Sequence, residues 1–280
     1  MTSSLDYLLI GHLTADLTPE GRLLGGTVSY AARLLHSFGL TSGVLTSAAP
    51  NEPLLAQLQP YTDHLHVLPG ESTSTFENVY TSSGRIQFIR GVADKITSAD
   101  IPAAWLDTPL VHLAPLTDEV DPRIAHQFKD KTVLLTLQGW LRRWDADGRV
   151  YFKRWFDPDV LQDIDIVVFS EEDIVESPSL EQEFAGAVRH LLVTRAERGG
   201  TYYFEGQPTE YTTPQVEVAH PTGAGDVFAA GLLASLPLLN YDYQRAVQVA
   251  AQLGAISVTR VGLESVPTSD EVQAALASVQ

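Results

Sequence analysis

The run His220-Pro-Thr-Gly-Ala-Gly-Asp226 opens a long apolar stretch, Val227 to Ser235, and its residue types suit one kind of chemistry. Gly223, Ala224 and Gly225 are small enough to let backbone approach a ligand closely. The first amides of a helix have no internal acceptor, and the helix dipole adds positive potential there. A helix opening at this point therefore makes an anion site. Asp226 falls in the first turn, where a carboxylate beside a bound phosphate can accept the proton of an attacking hydroxyl. Phosphoryl transfer needs mainly these parts: positioning, positive potential on the transferred group, and an oriented base. The plainer alternative is a helix entry whose first-turn acid is favoured by the dipole.

Such a corner has to be held by a scaffold. Tyr7 to Leu13 reads as a buried strand, Thr14 to Glu20 as a polar turn, and Gly25-Gly26 as the approach to a helix over Val28 to Phe38 that closes at Gly39. A strand over Ser42 to Thr46 completes a βαβ rhythm, which predicts a parallel sheet. Further strands are expected at Leu110 to Leu113, Thr132 to Leu137, Ile164 to Phe169 and His190 to Thr194. Helices are expected at Arg123 to Phe128, around Val160 and at Leu180 to Arg189, and a meander over Gly199 to Tyr211 turns at Gly206. The last third reads as helices over Ala224 to Leu236, Tyr243 to Val258 and Ser269 to Val279, the last with Ser269 as N-cap. Residues 72–91 differ: two alternating, β-forming runs flank Ser82-Ser83-Gly84, a hairpin signal. The expectation is one α/β domain over residues 1–280, a central mostly parallel sheet flanked by helices. A small β lid is inserted at about 72–91 and adjoins the N-terminal segment.

Bulk properties remove several function classes. Thirty-five acidic against 18 basic residues give a formal charge of −17, which repels nucleic-acid backbones and anionic membranes. The absence of cysteine excludes disulfides, thiolate metal sites and cysteine nucleophiles. No charged segment precedes an apolar run at the N-terminus, and no run of apolar residues is long enough to span a bilayer, so a cytoplasmic location is expected. There is no G-x-x-x-x-G-K-[ST] loop, no G-x-G-x-x-G after a strand, no G-x-S-x-G and no paired-histidine metal spacing. His64 and His66 read as strand surface, and Trp140, Trp155 and Phe156 as packing.

PTGAGDVFAAGLLASL closely resembles the C-terminal signature of the ribokinase-like (pfkB) carbohydrate kinases, D-T-G-A-G-D followed by an apolar helix. In the same order, GGTVSYAARLLHSFG resembles that family's N-terminal Gly-Gly segment and LLVTRAERGG its nucleotide segment. AAQLGAISVTRVGLESVPTSDEV resembles its C-terminal stretch. The resemblance spans nearly the whole chain and implies an ATP- and Mg²⁺-dependent kinase acting on a hydroxyl of a small sugar, polyol or nucleoside. Asp226 is then the general base, and the backbone at Gly223, Ala224 and Gly225 the anion hole. Thr194, Arg195 and Gly199 line the nucleotide. Ser170-Glu-Glu-Asp173 stands where the family has N-x-x-E, with Ser170 near the phosphates and Asp173 on water around Mg²⁺. Asp16, Gly25, Gly26 and Gln138 face the substrate, and Phe76 and Asn78 close over it from the lid.

Four positions depart from the family pattern. Tyr30 replaces an asparagine that contacts the sugar, which disfavours plain ribose or fructose. Ser170 and Asp173 change both ends of N-x-x-E. His220 replaces an aspartate associated with a monovalent cation, and histidine is a poor potassium ligand. Arg142, in Gln138-Gly-Trp-Leu-Arg142, reads either as a ligand contact or as surface charge. The departures motivate an alternative from another class, a non-catalytic ligand sensor on the same scaffold. The alternating lid hairpin could also pair with its copy in a homodimer.

Overall fold

The computed structural model describes residues 4–19, 21–81 and 84–280. The N-terminal half runs β1 (Tyr7–Ile10), β2 (Thr14–Thr18), β3 (Gly21–Gly25), α1 (Thr27–Phe38), β4 (Ser42–Ala48), α2 (Leu55–Leu58), β5 (His64–Pro69), β6 (Thr75–Thr81), β7 (Gly84–Gly91), β8 (Leu110–Leu113) and β9 (Thr132–Thr136). It continues with β10 (Arg142–Trp144), β11 (Val150–Phe152), α3 (Pro158–Leu161), β12 (Ile166–Ser170), α4 (Leu180–Ala187), β13 (His190–Thr194), β14 (Gly200–Phe204) and β15 (Gln207–Tyr211). Three helices finish the chain: α5 (Ala224–Ser235), α6 (Tyr243–Ser257) and α7 (Ser269–Ala277).

Nine strands form the large sheet in the order β15-β14-β13-β12-β9-β8-β1-β4-β5. Pairing is parallel from β13 through to β5, and β14 and β15 add an antiparallel edge. The short apolar strands explain this, because a parallel sheet is covered on both faces and its strands carry no polar side. Alternate residues feed two cores. Tyr7, Leu9, Val44, Leu134 and Val168 pack beneath α1, α5, α6 and α7. Leu8, Ile10, Leu45, Leu135 and Phe169 pack beneath α3, α4 and the 3₁₀ segments around Ile124 and Trp140. Trp155 and Phe156 pack against the second core, as expected of them. Helix α5 is buried along Val227 to Ser235, as a helix apolar on every side must be.

A second sheet has the order β3-β2-β6-β7, with β2 and β6 parallel and the other pairs antiparallel. One of its four strands comes from a segment expected to be a turn. Thr14 to Glu20 contains β2, and Asp16 sits in register with Leu23 on one side and Phe76 on the other; Glu20 itself lies outside the described residues, as do Ser82 and Ser83 of the expected hairpin turn. Turn-forming Thr, Asp and Pro suggest a loop, but pairing with β6 decides the conformation. The β10–β11 pair has no counterpart in the sequence reading, since three residues per strand carry too little pattern. The N-cap of α7 is Thr268, not Ser269. Thr268 accepts from the Glu271 amide, and the Glu271 carboxylate reaches back in a capping box.

A buried polar knot fixes the segments that lead into and out of the second sheet. His12 precedes β2, Ser74 precedes β6 and Asp94 follows β7. The His12 ring meets Ser74 Oγ at 2.7 Å through Nδ1 and the Asp94 carbonyl at 2.9 Å through Nε2. Glu119, 1% exposed, accepts from the amides of His12 (3.0 Å), Leu116 (2.9 Å) and Thr117 (2.7 Å). A buried carboxylate is tolerable only when donors satisfy it in this way. A second brace joins the sheets where Arg22 on β3 makes a two-pronged pair with the buried Glu52, at 3.1 and 2.8 Å.

Candidate active site

A cleft of about 470 Å³ lies over the C-terminal ends of the parallel strands, the edge at which open α/β sheets bind ligands. Thr136, Ser170 and Thr194, which end β9, β12 and β13, all reach it. The second sheet walls it with Thr14, Asp16, Phe76, Asn78 and Gln87. Val216, Val218, Ala255 and Val258 give another part an apolar lining. Gly223, Ala224, Gly225 and Asp226 also line the cleft, so the mouth of α5 opens into it.

Gly223 is the N-cap of α5 with φ 88°, a left-handed conformation that a side chain would strain. A Cβ there would also stand 2.4 Å from the Tyr30 ring. The glycine therefore lets the turn settle on the tyrosine; within that turn the Ala224 amide donates to the Pro221 carbonyl at 3.4 Å, while the helix start lines the cleft.

Asp226 accepts a hydrogen bond from Thr27 Oγ1 at 2.7 Å. Thr27 is the first residue of α1, and α1 packs against α5, so two distant segments orient one carboxylate. Burial pushes the Asp226 carboxyl up to about 6. The Thr27 hydrogen bond and the Arg142 charge oppose that rise, and Asp16 and Asp173 add to it. Burial, then the charges of Asp226 and Asp16, push the Tyr30 phenol up as well, so it stays protonated as a neutral wall of the site. Asp16 depends on Gly25, across the β2–β3 ladder, where a Cβ would stand 2.4 Å from Asp16 Oδ2. Gly25 thus makes room for a site residue without lining the cleft itself, whereas Gly26, the N-cap of α1, does line it.

Asp173 closes a capping box with Ser170. Its Oδ2 accepts from the Ser170 amide and its Oδ1 from Gln138 Nε2, both at 2.9 Å. The cap reading and the presence of all three residues in the cleft hold together. Thr194 and Gly199 line the cleft. Arg195 does not: its guanidinium pairs with Glu181 at 2.6 Å and Glu171 at 3.3 Å, which builds the wall from behind. His220 is a turn residue whose Nδ1 accepts from the Thr222 amide at 3.4 Å. Arg142 lines the cleft, with its guanidinium 5.4 Å from the Phe76 ring centre and Nη1 donating to the Leu116 carbonyl. Sequence reasoning missed Thr27, Thr136 and Gln87. Only the Gly-Gly-Thr context hinted at the first, and nothing local pointed to the others.

Residues 159–269 match the family model described as pfkB family carbohydrate kinase. The chain is similar to a cytidine kinase of Thermococcus kodakarensis, 27% identical over 275 residues that cover 89% of this chain and 93% of that one. It is also similar to a fructokinase of Escherichia coli, 26% identical over 305 residues, covering 95% and 97%. Among solved structures, a pyrophosphate-dependent kinase in the ribokinase family, complexed with a pyrophosphate analogue and myo-inositol, superposes with a TM-score of 0.80. At 20% identity, covering 96% of this chain and 99% of that one, it shows the same fold. Taken with the α5 corner and the two-sheet architecture, these matches make the chain similar to the ribokinase-like pfkB carbohydrate kinases, with the family model matching residues 159–269.

Proposed function

We propose that this protein transfers the γ-phosphoryl group of ATP to a hydroxyl of a small sugar or polyol. Asp226 acts as general base, and the amides at Gly223, Ala224 and Gly225 form the anion hole. The observation that carries this reading is the Thr27–Asp226 hydrogen bond at the mouth of α5, facing a cleft walled by the second sheet. Asp226 takes the proton of the acceptor hydroxyl, whose oxygen bonds to the γ-phosphorus as the bond to the bridging oxygen breaks and ADP leaves. A carboxyl near 6 is ionised at neutral pH yet more basic than an ordinary aspartate, which suits proton abstraction from an alcohol. The α5 amides stabilise charge on the transferred group without having to reorganise. Thr194, Gly199 and the apolar stretch with Val216 and Val218 receive the nucleotide, and Asp16, Tyr30 and Gln138 receive the acceptor. The second sheet serves as a lid that excludes water and so suppresses ATP hydrolysis.

The residues present fit magnesium. Glu172 and Asp173 supply oxygens in the cleft, and both Asp173 oxygens already accept hydrogen bonds, so these residues would hold the ion through its waters. Among the described residues no cluster of three or more protein ligands stands ready for a metal. When bound, it neutralises charge on the donor phosphates. Among the described residues no helix is long and apolar enough to cross a membrane.

The test is ADP formation from Mg-ATP across a panel of sugars and polyols. Turnover should require an acceptor and should fall by about 10²–10⁴ in Asp226→Asn. Saturable ligand binding with no turnover of any acceptor would instead support the sensor reading.

A further inference from the structure

Asn78 on β6 and Gln87 on β7 stand directly opposite in the lid ladder, both facing the cleft. Gln87 Nε2 donates to Asn78 Oδ1 at 3.2 Å. Each amide offers two donor hydrogens and one acceptor oxygen. After the mutual bond, the Asn78 NH₂ and the Gln87 oxygen are left to a ligand. Exchanging oxygen and nitrogen in both amides reverses the bond and leaves the same set, one NH₂ and one carbonyl. The pair therefore presents a donor and an acceptor side by side, which matches two adjacent ring hydroxyls, one accepting and one donating. Locked to each other, the two side chains lose little further freedom when a ligand arrives.

The aromatic rings beside them are already in use. The Gly223 turn lies against the Tyr30 ring, and the Arg142 guanidinium lies over the Phe76 ring. A nucleobase gains much of its binding from stacking on an aromatic face, and here each ring, although it lines the cleft, already has a protein neighbour that narrows the space for stacking. Charge points the same way. Asp16 and Asp226 both reach this part of the cleft with Arg142 as the cation among them, so a phosphate or carboxylate on the acceptor would meet two acids.

We propose that the Asn78–Gln87 pair selects the acceptor by reading a vicinal diol on a neutral ring polyol or sugar, and that nucleosides and anionic sugars are excluded. This rests on the phosphotransfer reading above. A 2.7–3.2 Å approach by the two hydroxyls would satisfy both amides at once.

The experiment compares kcat/KM for cyclitols, hexoses, nucleosides, a sugar acid and a sugar phosphate, with Mg-ATP as donor. A neutral ring diol should exceed every nucleoside and anion by about 100-fold. Asn78→Ala and Gln87→Ala should each raise the acceptor KM by about fivefold to tenfold, the scale of one neutral hydrogen bond, with the KM for ATP unchanged. Deoxy analogues lacking one hydroxyl of the diol should lose about as much with the unsubstituted protein and little with Gln87→Ala, a signature that a purely structural role would not give. Preference for a nucleoside or an anionic sugar, with ADP formation still dependent on Asp226, would overturn the proposal and leave the phosphotransfer reading intact. Undiminished deoxy penalties in Gln87→Ala would do the same. No ADP from any acceptor would overturn both.

Discussion

Replacing Asp226 by Asn should harm the reaction and help the fold. The carboxyl is pushed from its ordinary value near 3.8 to about 6, chiefly by burial, so the folded protein holds this proton more tightly than the unfolded chain does. Well below the unfolded value of 3.8 both states are protonated and no penalty exists. As pH climbs through the unfolded and then the folded value the penalty accumulates, and it is complete a little above 6. A carboxyl displaced that far carries a penalty of about 3 kcal/mol once fully ionised. Asn keeps the shape and can still accept from Thr27, so Asp226→Asn should gain about 1–3 kcal/mol at pH 8. The gain should shrink by about 1 kcal/mol at pH 5, where the folded carboxyl has regained most of its proton. Urea unfolding of both proteins at the two pH values measures this directly. A variant no more stable at pH 8, or a gain that ignores pH, would refute the claim that burial sets the carboxyl.

The rate should respond to the same group. With Asp226 as base, kcat rises with pH through about 6, and Thr27→Val, which removes a hydrogen bond that favours the ionised form, should move that limb to higher pH in a pH–rate profile. Gly223→Ala should lose most activity and roughly 2 kcal/mol or more of stability, because its Cβ meets the Tyr30 ring at 2.4 Å and its φ is 88°. Thermal denaturation and steady-state kinetics read both effects. Glu119→Gln turns an amide group towards three backbone donors and should cost about 2–4 kcal/mol, measured by urea unfolding.

The large sheet was legible because its strands are short, apolar and separated by helical spacing, and the α5 corner because small residues and an acid precede an apolar helix. Both signals are local. Local reading failed where distant pairing decides. Thr14 to Thr18 looks like a turn until β6 lies beside it, and Thr27 looks like a helix start until α5 brings Asp226 to its hydroxyl. Arg195 shows the reverse pull of distant residues. It stands in a segment that resembles a nucleotide motif, but Glu171 and Glu181, which belong to other elements, claim its guanidinium. Gln87 carried no signal at all, because its role depends on the residue that faces it across the hairpin.

Thr27 and Asp226 are 199 residues apart in the chain. At ordinary rates of translation, roughly 10 to 40 s separate their synthesis. During that interval a growing polypeptide can assemble the acceptor-binding strands while lacking any group to deprotonate an alcohol. On the proposed mechanism, half-made molecules on the ribosome spare the nucleotide pool, and competence arrives when α5 docks on α1.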